Sequence, residues 1–316
     1  MKAANQTLLL TPRCQWIRGS SGHWIADPIT IRSRDASVVV NSTNFRWEDE
    51  ERSCQTSLWT KAGMCQVMNN LGLNRIFLVG DSLTHLQYTS MWNLLGFEYS
   101  VKGTEIPNNF TVNCPENLQT SFIIQYVRND KLSLTKTNRR CVGGICNAWV
   151  DAYRGFKDRG KTLLVANTGA HLHSFPTFQS RFDAFVQLLS EQKESQDLIF
   201  FRTTVPGHFN CSRSDVPYQD ARHFRATLGS DHYDWSLMES YNEYAKDAFQ
   251  VGCLARRETC RRRLILDVFP MTILRPDGHS NPPVDCLHYL LPGPPDWWNH
   301  LLYSNLKDLH TSTSVP

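Results

Sequence analysis

Ser82 lies in FLVGDSLTHLQY, residues Phe77 to Tyr88, where an apolar run ends at Gly80 and an amphipathic stretch begins at Leu83. Gly80 permits a tight strand-to-helix turn. A serine just past Asp81 would stand at a helix N-terminus, where unpaired N–H groups and the helix dipole favour developing negative charge. Two readings are open for it: the N-cap of that helix, or a nucleophile at the mouth of a sheet. A nucleophilic serine needs a base, and DCLH near the C-terminus supplies a candidate. Asp285 and His288 are three residues apart, so on one helical turn or in a tight loop they can face the same way. The carboxylate would hold one imidazole nitrogen and leave the other free to take a proton from a serine. Cys286 lies between them, and a disulfide there would hold the pair in place. Asp277 and His279 form a rival pair, although neighbours two apart point less readily to one site.

Three further segments carry polar groups that could join such a site. In ANTGAH, Asn167 with Gly169 two residues on either aims a side chain into a cleft, where it could donate to an oxyanion, or makes a simple turn. His171 and His173 have the HxH spacing of metal ligands, a weak signal alone. In DLIFFRTTVPGH, Arg202 and His208 fall near one sheet edge. Arg202 either binds a carboxylate or phosphate or pairs with a buried Asp. Trp297 and Trp298 read as core, with a sugar platform as the alternative.

These residues must be positioned by regular elements. Arg75 to Val79, Ser121 to Val127, Thr162 to Ala166, Asp197 to Thr203 and Arg263 to Val268 read as buried strands. Leu83 to Leu95, Phe178 to Ser190, Asp234 to Gln250 and Asp296 to Leu306 read as helices. Apolar strands alternating with helices predict an α/β fold, a mostly parallel sheet covered on both faces, with ligands bound beyond the carboxyl ends of the strands. The first 70 residues read as an irregular, disulfide-tied lobe packed on a main domain of residues 71 to 309, with a disordered tail over 310 to 316.

The composition is that of a globular protein, with 41% hydrophobic and 20% charged residues, which excludes wholesale disorder. A net charge of +3 gives no case for nucleic acid. The basic run ARRETCRRR, Ala255 to Arg263, is mostly bracketed by Cys253 and Cys260 and reads as a disulfide loop, with an acidic-glycan site as a weaker option. There are ten cysteines and no CxxC, so disulfides in an oxidising compartment explain them better than zinc; CVGGIC, Cys141 to Cys146, is the metal alternative. Sequons at Asn5, Asn41, Asn109 and Asn210 agree with the secretory pathway. TLLLTP, Thr7 to Pro12, is too short for a signal core and no stretch is long enough to span a membrane, so the numbered chain reads as a mature or truncated form of a longer precursor.

Together, GDSL, NTGAH, FRTTVPGH and DCLHYLLPGPPDWWNHLLY resemble the PC-esterase domain of the trichome-birefringence-like polysaccharide O-acetyltransferases, within the SGNH/GDSL hydrolase superfamily. The resemblance spans roughly residues 14 to 306, weakly before about 70, where FRWEDEERSC is a loose echo of a family segment. It implies a flavodoxin-like three-layer α/β/α fold with Ser82 as nucleophile, His288 as base and Asp285 as its orienter. Ser82, Asn167 and Gly169 would supply the oxyanion donors, with no metal. Gly80, Asp81, Gln87 and Arg202 are motif positions. RPDGH matches too, which gives Asp277 and His279 a structural or substrate-contact role. Plant members carry Arg and Asn where this chain has His85 and Leu86, which marks it as a divergent relative. The implied activity is acetyl transfer to a polysaccharide or glycan hydroxyl. A carbohydrate acetyl esterase and a catalytically silent glycan-binding relative are the alternatives. No cofactor is implied beyond an acetyl donor as co-substrate, acetyl-CoA or an acetylated intermediate. The implied setting is the Golgi lumen or the extracellular space, with membrane association through a segment absent from this chain and an open oligomeric state.

Overall fold

The apolar runs beyond residue 70 form the strands of one sheet. The computed structural model describes residues 14, 18–27, 45–97, 106–118, 121–134, 139–141, 144–156, 160–192, 196–228, 233–254 and 262–313. In chain order, β1 (Gly22–Ala26) and β2 (Phe45–Asp49) pair as an antiparallel ribbon, and α1 (Lys61–Leu71) leads into β3 (Leu73–Gly80) and α2 (Ser82–Leu94). Next come β4 (Asn109–Val112), β5 (Phe122–Arg128), a ribbon of β6 (Arg139–Cys141) and β7 (Gly144–Cys146), α3 (Val150–Arg154), β8 (Lys161–Ala166) and α4 (Phe175–Glu191). The chain continues through β9 (Leu198–Arg202), α5 (Ala221–Thr227), α6 (Met238–Leu254), β10 (Arg263–Leu266) and α7 (Phe269–Thr272). It ends with the hairpin of β11 (His279–Asn281) and β12 (Asp285–Tyr289), followed by α8 (Pro294–Thr313).

Six strands make the central sheet in the order β10-β9-β8-β3-β5-β4. All pairings are parallel except that of β4 at the edge, which runs against β5. The continuous apolar run of β3 suits a central strand buried on both faces. Helices flank the sheet: α1 and α2 pack with α8, and α4 packs with α6. The register brings Gly80 level with Arg128 on one side, and Val79 level with Ala166 on the other, so several strands end along one line. The loops leaving that line are where the chemistry-bearing residues collect.

Helix ends follow local rules. Thr60 caps α1 by accepting from the Gly63 N–H, and Gly72 ends it in the left-handed region at φ 65°. Ser174 caps α4, with Pro176 in its first turn. Two expectations change here. The segment before residue 70 is not wholly irregular, because it holds the β1–β2 ribbon and α1. The C-terminal helix runs to Thr313, past the tail expected from 310, since no Gly or Pro interrupts residues 294 to 313 after its opening prolines. Residues 255 to 261, with Cys260 of the expected Cys253–Cys260 loop among them, lie outside the described residues, as do Asn5 and Asn41.

The N-terminal ribbon is built into the main core. Trp24 packs edge-on against both Trp47 and Trp297, at 5.5 and 5.6 Å, and its indole N–H donates to the Met271 carbonyl. Trp297 and Trp298 are buried, so they are core residues and no sugar platform. Disulfides Cys14–Cys54, Cys65–Cys114, Cys141–Cys146 and Cys211–Cys286 cross-link the chain, which removes the metal alternative for CVGGIC. Among the described residues no helix is long and apolar enough to cross a membrane.

His300 on α8 accepts the Trp59 N–H at Nδ1, 3.0 Å away, and burial pushes its imidazole down to about 4. As pH falls from about 6.5, the unfolded chain takes up a proton that the folded chain refuses, so this histidine's contribution to stability is complete above about 6.5 and is lost towards 4. The unfolding free energy should fall by on the order of 3 kcal/mol over that window through this group. His300→Asn keeps an acceptor for Trp59 and cannot titrate. Urea denaturation across the window should give a shallower pH slope for the variant, and an unchanged slope would contradict the assignment.

Candidate active site

The turn between β3 and α2 positions Ser82. Asp81, fully buried, is the N-cap: its side chain accepts from the N–H groups of Leu83 and Thr84 at 3.0 and 3.2 Å. The cap reading of Ser82 is therefore corrected. Ser82 is the first helical residue, and its hydroxyl is free for another partner. Gly80 is required here because a Cβ would stand 2.2 Å from the Thr84 hydroxyl. From the β5 side, the buried Tyr126 hydroxyl reaches the carbonyls of Asp81 and Gly80 at 3.0 and 3.3 Å.

The partner of Ser82 arrives 206 positions later. Ser82 Oγ lies 2.7 Å from His288 Nε2. His288 Nδ1 lies 2.9 and 3.1 Å from the two carboxylate oxygens of Asp285. The pair occupies neither a helical turn nor a free loop: both residues are in strand β12. They face each other because Asp285 Oδ1 also accepts the backbone N–H groups of Leu287 and His288, which curls the carboxylate back over the strand start. All three side chains are partly exposed, with 20% accessibility at both Asp285 and His288. A hydroxyl that donates to an imidazole whose far nitrogen is held by a carboxylate can become an alkoxide-like nucleophile as the proton moves to Nε2.

Strand β12 is held from behind. Cys286 is disulfide-bonded to Cys211, and its carbonyl accepts the His208 N–H at 2.9 Å. His279 Nδ1 lies 3.2 Å from the His288 carbonyl, His279 Nε2 lies 2.8 Å from His208 Nδ1, and His208 Nε2 donates to the Ile273 carbonyl. Burial pushes His208 down to about 4 and His279 well below its usual value, so the pair is neutral under ordinary conditions. The rival dyad of Asp277 and His279 does not form. Asp277 is engaged by Arg275 in a buried two-pronged pair at 2.9 and 2.8 Å, and His279 is too buried to touch substrate.

Arg202, at the end of β9, is fully buried, which removes the reading of it as an anion-binding residue. It donates to the Thr84 hydroxyl at 3.0 Å, approaches Asp81 at 4.0 Å and lies over the Trp298 ring; burial lowers it to about 10. Asn167, at the end of β8, is buried and donates one amide hydrogen to the Arg202 carbonyl at 2.9 Å, leaving the second for another acceptor. Gly169 has φ 153°, and a Cβ there would meet Thr204 at 2.5 Å. Gln87 is buried one turn further along α2, where it donates to Asn299 of α8 and has no access to the site. His85, on the first turn of α2, is partly exposed against Tyr126 at 5.2 Å, and burial and the nearby Arg128 lower its pKa. His171 and His173 turn to different carboxylates, Asp130 at 3.8 Å and Asp234 at 2.9 Å, and do not converge. Asn109 and Asn210 are exposed.

The sequence reading missed Arg128 and Asp130. Arg128 Nε donates to the buried Asp130 carboxylate at 2.9 Å, and the Ile145 N–H from the Cys141–Cys146 ribbon donates to the same carboxylate at 2.7 Å. The signal for them in the sequence is VRND at the carboxyl end of β5.

This parallel sheet, with its serine after a GDSL turn and its Asp–His pair near the C-terminus, defines a GDSL/SGNH-like hydrolase fold. Residues 165–305 match the PC-Esterase family, described as a GDSL/SGNH-like acyl-esterase family found in Pmr5 and Cas1p. The chain is similar to trichome birefringence-like 25 of Arabidopsis thaliana, 31% identical over 89% of this chain and 75% of the relative. It is also similar to trichome birefringence-like 26 of the same plant, at 32% identity over 33% of this chain, a match that covers 27% of that protein. A shorter stretch, 14% of each chain, is 41% identical to xyloglucan O-acetyltransferase 1 of Arabidopsis thaliana. The chain belongs to the PC-esterase family that includes the trichome birefringence-like proteins.

Asp81→Ala removes a helix cap and strands a buried guanidinium. The loss should be about 4 kcal/mol of unfolding free energy. Asp81→Asn keeps an acceptor for the helix N–H groups and should fall between the two. Urea denaturation measures both, and wild-type stability in Asp81→Ala would contradict the arrangement.

Proposed function

We propose that the chain is an O-acetyltransferase that moves an acetyl group to a polysaccharide hydroxyl through an acyl-Ser82 intermediate. The observation that carries this reading is the hydrogen-bond series Ser82 Oγ, His288 Nε2, His288 Nδ1, Asp285 Oδ2, at 2.7 and 2.9 Å. His288 takes the Ser82 proton as Ser82 Oγ attacks the acetyl carbonyl, and Asp285 holds the imidazole and stabilises its charged form. The oxyanion is received by the Ser82 N–H, which has no partner within the helix, and by the second amide hydrogen of Asn167, with Gly169 beside it. The leaving group departs with the proton from His288. The acceptor hydroxyl then repeats the sequence against the acyl-serine. If water takes the place of the sugar, the same groups act as an acetyl esterase, and the family's acyl-esterase description supports that second reading. Transfer is favoured by a relative named as a xyloglucan O-acetyltransferase.

The co-substrate in this proposal is an acetyl donor, acetyl-CoA or an acetylated intermediate. The partner is a glycan rather than nucleic acid. The four disulfides support an oxidising compartment, the Golgi lumen or the extracellular space.

Incubation with an acetyl donor and xyloglucan or xylan oligosaccharides should yield acetylated sugar, followed by mass spectrometry. Ser82→Ala and His288→Ala should each lower the rate by on the order of 10³-fold or more, and the double variant should be no slower than either. A Ser82→Ala protein with wild-type transfer would overturn the proposal.

A further inference from the structure

Beside the Ser82 turn the described structure has a cleft of about 360 Å³ between Asn108, Gln125, Tyr126, Arg128 and Asn147, to which no function has yet been given. Its volume is in the range of small-ligand sites, ~300–1,000 Å³. It is next to the nucleophile by three routes. Arg128 is level with Gly80 across the β3–β5 pairing. Tyr126 hydrogen-bonds the carbonyls of Gly80 and Asp81. His85, one turn beyond Ser82, packs on the Tyr126 ring.

The backbones lining the cleft are fixed, and two of its side chains are engaged, Gln125 accepting from Arg75 at 3.3 Å and the Tyr126 hydroxyl donating to the Gly80 and Asp81 carbonyls, so the uncommitted groups are the two asparagine amides and part of Arg128. The Asn108 carbonyl accepts the Tyr126 N–H, the Asn147 N–H donates to the Arg128 carbonyl, and the Asn147 carbonyl accepts from Asn129. The amide groups of Asn108 and Asn147 have no partner among the described residues, and neither does Arg128 Nη1. The other two guanidinium nitrogens face Asp130, at 2.9 and 3.4 Å. Arg128 is thus charge-compensated by a buried carboxylate, which leaves the cleft short of the unpaired cations a phosphate would need. What remains is two neutral amides, which both donate and accept, and one spare side of the guanidinium fork, which donates, groups suited to sugar hydroxyls.

We infer that this cleft is the subsite for the neutral sugar whose hydroxyl receives the acyl group, a conclusion that rests on the proposed acyl transfer. Asn167 flanks Ser82 from β8 and the cleft flanks it from β5, so the oxyanion and the acceptor lie on opposite sides of β3. The sugar hydroxyl attacks the carbonyl carbon of acyl-Ser82 and gives its proton to His288 Nε2. The new ester bond forms as the bond to Ser82 Oγ breaks, and Ser82 Oγ takes the proton back from His288.

The test is calorimetric binding of a neutral xyloglucan oligosaccharide, and separately of coenzyme A, to Ser82→Ala protein with and without the added changes Asn108→Ala and Asn147→Ala. The oligosaccharide Kd should weaken by about 10-fold or more in the triple variant, the loss of one or two hydrogen bonds, while coenzyme A binding stays the same. Arg128→Lys, which keeps the charge that Asp130 requires but loses the fork, should weaken the same ligand and guards against a folding defect. An unchanged oligosaccharide Kd, no oligosaccharide binding at all, or a loss confined to coenzyme A would each overturn the inference. Failure of the proposed function has a different sign: sugar binding that depends on the cleft, with no acetylated product from the wild-type chain.

Discussion

The carboxylate of Asp81 is the constraint on which the site depends. It is fully buried, it caps α2 through the N–H groups of Leu83 and Thr84, and it faces the buried guanidinium of Arg202 from β9. A buried charge of this kind persists only when its surroundings answer it, here by two helix N–H groups and a cation. The consequence is positional. With Asp81 turned inward as the cap, Ser82 becomes the first residue of the helix and points its hydroxyl outward. Thr84, two residues further, links the two ends of the arrangement by accepting from Arg202, and Trp298 covers the guanidinium from α8.

The second half of the site is held by an independent set of contacts. Asp285 and His288 come from a two-stranded hairpin outside the main sheet, and such a hairpin needs external support to hold a side chain to within a fraction of an ångström. That support is the Cys211–Cys286 disulfide, the His208 N–H on the Cys286 carbonyl, and the buried imidazole pair behind His288. The Tyr289 hydroxyl adds a bond to the Pro206 carbonyl. Asp277, His279 and Arg202, which read as chemistry in the sequence, and the motif position Gln87 instead serve this bracing or the packing of α8. Their polarity reflects the cost of leaving a buried donor or acceptor without a partner.

Much of the fold was legible because a buried parallel strand is a short, dense apolar run bounded by turn residues, as in RIFLVG and TLLVA. The pairing of Ser82 with Asp285 and His288 was legible through local spacing and through the resemblance. The spacing points to the right residues by other geometry, since an i,i+3 pair expected on a helical turn or in a tight loop lies in an extended strand with the Asp side chain folded onto its own backbone. VRND marks Arg128 and Asp130 only as polar residues past a strand; the place of Arg128 comes from register, since the alignment of β5 against β3 is what brings it level with Gly80. The His208–His279 contact was hidden for the same reason, being made between segments 71 residues apart.

The central claim is that Ser82 carries the acyl group between donor and acceptor. Its most direct measurement is peptide mass spectrometry after brief mixing with an acetyl donor in the absence of any glycan, followed by an acid quench. The account predicts an acetyl group on the Ser82 hydroxyl that disappears when oligosaccharide is added before the quench and never forms in a His288→Ala protein. Acetylated glycan produced with Ser82 unmodified throughout, or an acetyl group that accumulates on a different residue and is passed on to sugar, would contradict it.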